Sequence, residues 1–263
     1  VISLVLIVWL VKAKNDIFYA VFAISAGNFI AGLIGIILLA RYVVIKPVLP
    51  SREFLTGIFK ESSYVFTSII LAPLYSSVNL FILQVFTNPL MVGYYAVSEK
   101  IFSAIGMLTS IANRTFFPHL AQLYETSRMA YKRHVSRIAL LLGGGFFVFA
   151  IGLFLGAPFI IELAAGKKQQ YDISYSVQVL RIMSAALIIS PFVSFFFQML
   201  ILQDQKKKEV RNILITIIVN LVLGSILAYY YGGRGMAVNL TIILYIIAFL
   251  NFSAANSKSK FVH

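Results

Sequence analysis

The sequence predicts an all-α bundle of membrane-crossing helices, and three observations predict it. Of 263 residues, 60% are hydrophobic and 12% charged, whereas soluble domains run near half apolar and about a quarter charged; the mean hydropathy is +0.91. The apolar residues form repeated unbroken stretches, each long enough to cross a hydrocarbon core about 30 Å thick at 1.5 Å per helical residue. Basic residues collect in alternate connections between these stretches, which is how a polytopic chain fixes its orientation.

The elements follow in order. Val1 to Val11 would rise only about 16 Å as a helix, and no charged segment precedes it; it is expected to be the end of a span begun upstream and not a signal peptide. Lys12 to Asp16 makes a polar turn, and Ile17 to Ala40 is the first complete span, with Gly27, Gly32 and Gly35 expected at close helix contacts. Residues 41–61 carry Arg41, Lys46, Arg52 and Lys60 with Pro47 and Pro50, and read as a linker because proline interrupts helices. Spans then run from Ser62 to Phe86 and from Leu90 to Phe117, joined at Thr87-Asn88-Pro89 and closed by Pro118. Pro118 to Arg137 is polar and basic, and is expected to lie as a short amphipathic segment at the membrane surface. Ile138 to Ala165 and Ser176 to Leu202 follow, and a final hairpin runs from Asn212 to Tyr231, turns at Gly232-Gly233 and returns from Gly235 to Ser253. This makes seven complete spans and one truncated, in segments 1–40, 41–61, 62–254 and a tail 255–263.

One set of connections holds fourteen basic residues, among them Lys206, Lys207, Lys208 and Arg211, and the opposite set holds five. The richer side is expected to be cytoplasmic, which puts the C-terminus inside. The net charge of +13 is thereby explained by orientation, and nucleic-acid binding is excluded because lipid-facing helices leave no basic groove. The sequence has no cysteine, and His119, His134 and His263 have no metal-ligand spacing; no metal or cofactor is expected. Gly143-Gly144-Gly145 and Gly166-Lys167-Lys168 lack the pattern of a phosphate-binding loop, so no ATPase is encoded here. Asn113-Arg114-Thr115, Asn239-Leu240-Thr241 and Asn251-Phe252-Ser253 match glycosylation sequons within or against spans and read as chance.

Ionisable residues inside a membrane are costly and usually face the bundle interior, so each is a functional candidate. Glu99 and Lys100 lie about ten residues into their span and Arg181 early in its own, whereas Arg114 and Glu162 sit near helix ends, where they can snorkel. Glu99, Ser103, Gly106, Ser110 and Asn113 fall on one helical face. Weaker stripes are Ser68, Tyr75 and Asn79, and Asn212, Thr216, Asn220 and Gly224. Lys100 or Arg181 would hold a phosphate or acidic sugar, and Glu99 would neutralise a cation or take a proton. The competing expectations are interhelical hydrogen bonding for the Ser, Thr and Asn positions, and a structural ion pair of Glu99 with Arg181.

The run Asn88-Pro89-Leu90-Met91-Val92-Gly93-Tyr94-Tyr95-Ala96-Val97-Ser98-Glu99-Lys100-Ile101, followed by Phe116-Phe117-Pro118, resembles the "VGYYAxAEKI … FP" region of Wzx-type O-antigen flippases. These form the polysaccharide transporter branch of the multidrug/oligosaccharidyl-lipid/polysaccharide superfamily. Ser98 departs from the commoner alanine. The resemblance implies twelve spans in two six-helix lobes around a cavity, with 1–40 holding spans five and six, 41–61 the interlobe linker and 62–254 the second lobe. It implies alternating access carrying an undecaprenyl-diphosphate-linked oligosaccharide from the cytoplasmic to the outer leaflet of a bacterial cytoplasmic membrane, its tail remaining in lipid. Membrane lipids and other polysaccharide assembly proteins would be its partners. Coupling to a proton or sodium gradient and consumption of the substrate outside both stay open. No bond is broken, so no enzyme is implied. The alternatives are a cation-coupled multidrug exporter or lipid II flippase of the same superfamily and, from another class, a membrane-embedded polymerase or acyltransferase; the short loops speak against the last.

Overall fold

The computed structural model describes residues 2–10, 17–42, 51–165 and 173–257. They form seven helices and, among the described residues, no strand: α1 (Ile2–Leu10), α2 (Ile17–Tyr42), α3 (Arg52–Phe86), α4 (Pro89–Thr126), α5 (Arg128–Ala165), α6 (Ile173–Leu202) and α7 (Lys206–Ser257). The turns expected at Lys12–Asp16 and Gly166–Lys168 and the end of the tail lie outside the described residues, as do the side chains of Ser68 and Tyr75.

The chain divides into two compact units, Val1–Thr56 and Gly57–His263. In the first, Ala23 is fully buried, and Gly27 lets the backbone of Ser3 approach directly. Gly32 and Gly35 meet no neighbour within 4 Å, so only one of the three glycines expected at close contacts makes one.

Helix α3 begins within the expected linker range. Ser51 accepts the amide of Phe54 on its Oγ at 3.2 Å, and this N-cap starts α3 at Arg52. Residues 52–60 are therefore helical.

In the second unit, Asn88 caps α4 by accepting Met91 N at 2.9 Å, with Pro89 at the first helical position. Pro118 does not end this helix, and the expected surface segment does not form. α4 continues to Thr126, Ser127 N donates to Leu123 O at 2.9 Å, and Ser127 Oγ accepts Ala130 N at 3.4 Å as α5 begins. One residue thus closes α4 and opens α5. Rings meeting edge-on across this hairpin, Tyr124 with Tyr131 and His119 with His134, both at 5.2 Å, hold its tip together.

α7 is itself a hairpin. Gly232 (φ 57°, ψ −136°) leaves helical geometry, a conformation open to glycine, so arms 206–231 and 233–257 run antiparallel. A Cβ on Gly235 would collide with the Leu227 carbonyl, so the arms touch at their tip. With α7 counted as two arms, seven helices follow α1.

By length and composition, helices at Val21–Tyr42, Arg128–Ala164, Ile173–Leu202 and Lys206–Ser257 can cross a membrane. Burial is inverted relative to a water-soluble protein. Leu140, Leu163, Val148 and Tyr230 are 69–78% exposed, whereas Asn79, Asn212, Asn220, Asn239 and Asn251 are fully buried. Lipid tolerates the first and penalises the second when exposed. The chain is a multi-pass membrane protein.

Candidate functional site

Helix α4 places the candidate residues on two sides. Ser98, Phe102, Thr109, Asn113 and Leu120 are buried, at spacings that direct them to one packed face. Ser98 Oγ donates to Ser176 O at 2.9 Å, and Ser176 Oγ donates back to Tyr94 O at 3.0 Å, so α4 and α6 are stitched by a reciprocal serine pair. Asn113 Nδ2 donates to Thr109 O at 2.9 Å and to Pro191 O at 3.1 Å. Ser103, on the other edge of the predicted stripe, is exposed, and Glu99, Gly106 and Ser110 are half-buried between the two. The stripe is continuous in sequence but divided in environment.

Asn79 and Asn220 come together in the core. Asn220 Nδ2 donates to Asn79 Oδ1 at 2.9 Å, and Asn239 Nδ2 donates to Asn220 Oδ1 at 2.6 Å, tying α3 to both arms of α7. Gly224 makes room, since a Cβ there would stand 2.9 Å from the Asn239 amide nitrogen. Tyr95 is fully buried beside this chain; its hydroxyl lies near Asn79 and the Glu99 carboxylate without a hydrogen bond to either. Asn79, Asn113 and Asn220 each take part in a hydrogen bond between helices.

Lys100 is exposed. Arg181 turns towards α5: its Nε donates to Phe154 O at 3.3 Å, and its guanidinium stands 5.2 Å from the Phe154 ring centre. That carbonyl is the one Pro158, lacking an N–H, leaves without a helical donor. The expected ion pair of Glu99 with Arg181 does not form; Lys206 pairs with Asp204 at 3.8 Å.

Sequence reasoning missed a second polar layer at the basic end of α7. Asn212 Nδ2 donates to Asn251 Oδ1 at 2.9 Å, and Glu209, only 4% exposed, lies beside Asn251. Glu209 had been absorbed into a basic connection, and Asn239 and Asn251 into chance sequons. Asparagines recurring in both apolar arms of a hairpin were the available signal. Among the described residues no three His, Asp or Glu side chains gather to hold a metal ion.

Residues 1–124 match the family described as "Polysaccharide biosynthesis protein". The chain is 29% identical over 234 residues to the "Putative O-antigen transporter" of Shigella dysenteriae, covering 88% of this chain and 57% of that protein. It is 26% identical over 209 residues to a protein of the same name from Escherichia coli (strain K12), covering 78% of this chain and 48% of that one. The chain thus spans about half the length of the curated relatives it matches. Both relatives are named as transporters and neither as an enzyme. The chain is similar to proteins named for O-antigen transport, and in one of them the likeness extends over 88% of its length.

Proposed function

We propose that this chain contributes to a flippase that carries a polyprenyl-diphosphate-linked oligosaccharide across the bacterial cytoplasmic membrane by alternating access. The observation that carries the reading is the 29% identity, over 88% of the chain, to a protein named for O-antigen transport. Polar side chains turned inward and apolar ones turned outward support it, because a hydrophilic head group can cross lipid only along protein.

The open side of α4 supplies the contact. Lys100 is exposed and reaches a diphosphate as a point charge. Arg181 has its Nε engaged at Phe154, which leaves its two terminal nitrogens to add a second cationic contact. Glu99, next to the buried Tyr95, is the coupling group for a proton or sodium ion. The C-terminus and the basic connections lie in the cytoplasm.

The test is deletion of the gene and complementation by the intact gene. Loss should leave lipid-linked intermediate on the inner leaflet, and Lys100→Ala with Arg181→Ala should lower surface glycan at unchanged membrane insertion. Normal glycan export by the double variant would refute the cationic contact. Lack of intermediate in the deletion strain would refute the flippase reading itself.

One observation favours a second reading. The half-buried acid Glu99 stands beside the buried Tyr95, a pairing suited to a cation-coupled exporter of lipophilic cations. Proton-dependent dye efflux lost in Glu99→Gln, with glycan export intact, would decide for it.

A further inference from the structure

Helix α5 has one packed face and one open face. Tyr131, Ile138, Leu142, Phe146 and Leu153 are buried, whereas Leu140, Leu141, Val148 and Leu155 are 67–78% exposed and form an apolar stripe on the opposite side. At 100° per residue, Arg133 and Arg137 stand within about 60° of Leu140, one turn apart. They continue the lipid-facing stripe at the point where the helix leaves its apolar stretch. Both are exposed, and neither forms an ion pair with a described residue. Gly144, further along the same stripe, has open space where a side chain would project.

We propose that Arg133 and Arg137 clamp the phosphate of an anionic bilayer phospholipid, whose acyl chains lie along the Leu140-to-Leu155 stripe and cross it at Gly144. The chemistry selects this occupant. Two guanidinium forks match phosphate oxygens in charge and geometry. An unbroken apolar track below the cations fits a ligand that carries tail and head together. A soluble anion would have no use for that track, and an acidic protein would need the charge to spread around the helix, whereas Arg133 and Arg137 line up with the lipid-facing side. This proposal stands apart from the flippase reading, since it requires only that α5 faces lipid.

The test uses the full chain in nanodiscs of phosphatidylcholine and phosphatidylglycerol, with phosphatidylglycerol retained per protein measured by native mass spectrometry. Each basic residue at an anionic surface is worth about fivefold in binding, so Arg133→Gln with Arg137→Gln should weaken retention about 25-fold. Arg128→Gln with Lys132→Gln removes the same charge roughly 100° or more around the helix and should retain the lipid; both variants are first checked for membrane insertion. Equal loss in the two variants would reduce the effect to bulk charge and overturn the clamp, as would no loss in either. Displacement of phosphatidylglycerol by inorganic pyrophosphate would overturn the assignment to a lipid. Displacement by a short polyprenyl diphosphate at far lower concentration would overturn the assignment to a bilayer phospholipid.

Discussion

Proline in a membrane helix leaves a carbonyl four residues back without its usual donor, and an unsatisfied carbonyl in lipid is expensive. This protein answers twice with a side chain. Ser190 Oγ donates to Leu187 O at 3.2 Å, the acceptor released by Pro191, and Arg181 Nε donates to Phe154 O at 3.3 Å, the acceptor released by Pro158. Interhelical hydrogen bonds in membranes are worth about 0.6 kcal/mol and up to about 2. Arg181→Ala should therefore lower unfolding stability in detergent by about 1 kcal/mol in the parent, and by much less alongside Pro158→Ala, which restores the helical donor. An equal cost in both backgrounds would remove the link between arginine and proline. The position of Arg181 within a span was legible in the sequence, but its partner was not, because hydropathy does not say which neighbouring helix presents the freed carbonyl. Asn79 and Asn220 were legible as polar positions; their union required knowing that α3 lies against the α7 hairpin.

At the scale of elements, glycine and serine set how closely helices approach. Gly235 lies against the Leu227 carbonyl, and the arms of α7 are further joined by Asn220 with Asn239 and Asn212 with Asn251. Gly235→Val should splay the tip and cost more than about 2 kcal/mol, the range of strained overpacking. Ser98→Ala, by contrast, should cost about 0.6 kcal/mol, since it removes one bond of the serine pair and keeps the packing. Thermal unfolding of the two variants checks the ranking, and a larger loss for Ser98→Ala would contradict it. The hairpin at Gly232 was predictable from Gly-Gly between two apolar runs. The extension of α4 through Pro118 was not, because proline signals a break in isolation while contacts such as Tyr124 with Tyr131 keep the helix going.

For the whole molecule, length becomes the informative quantity. α4 and α5 have 38 residues each, about 57 Å at helical rise, nearly twice a hydrocarbon core. Their shared end at Ser127 should stand in water. A cysteine at Ser127 should react with an impermeant maleimide supplied from the basic side of the membrane, and one at Val148 should not; labelling of Val148 alone would invert the placement. Number and order of the helices could be read from apolar runs, whereas their ends and the depth to which they project could not, because an amphipathic helix has the same composition lying flat or standing upright. The chain Asn239 to Asn220 to Asn79 has a property that only its makeup confers. All three links are amides, so turning each terminal group by half a revolution exchanges every donor for an acceptor and yields a second arrangement running the opposite way. Such a relay carries no net charge in either state, and an amide has no proton to gain or lose on ordinary acidification, so acidity does not bias it. Any response of the protein to acidity must therefore enter through the carboxyl, imidazole and amine groups elsewhere in the chain.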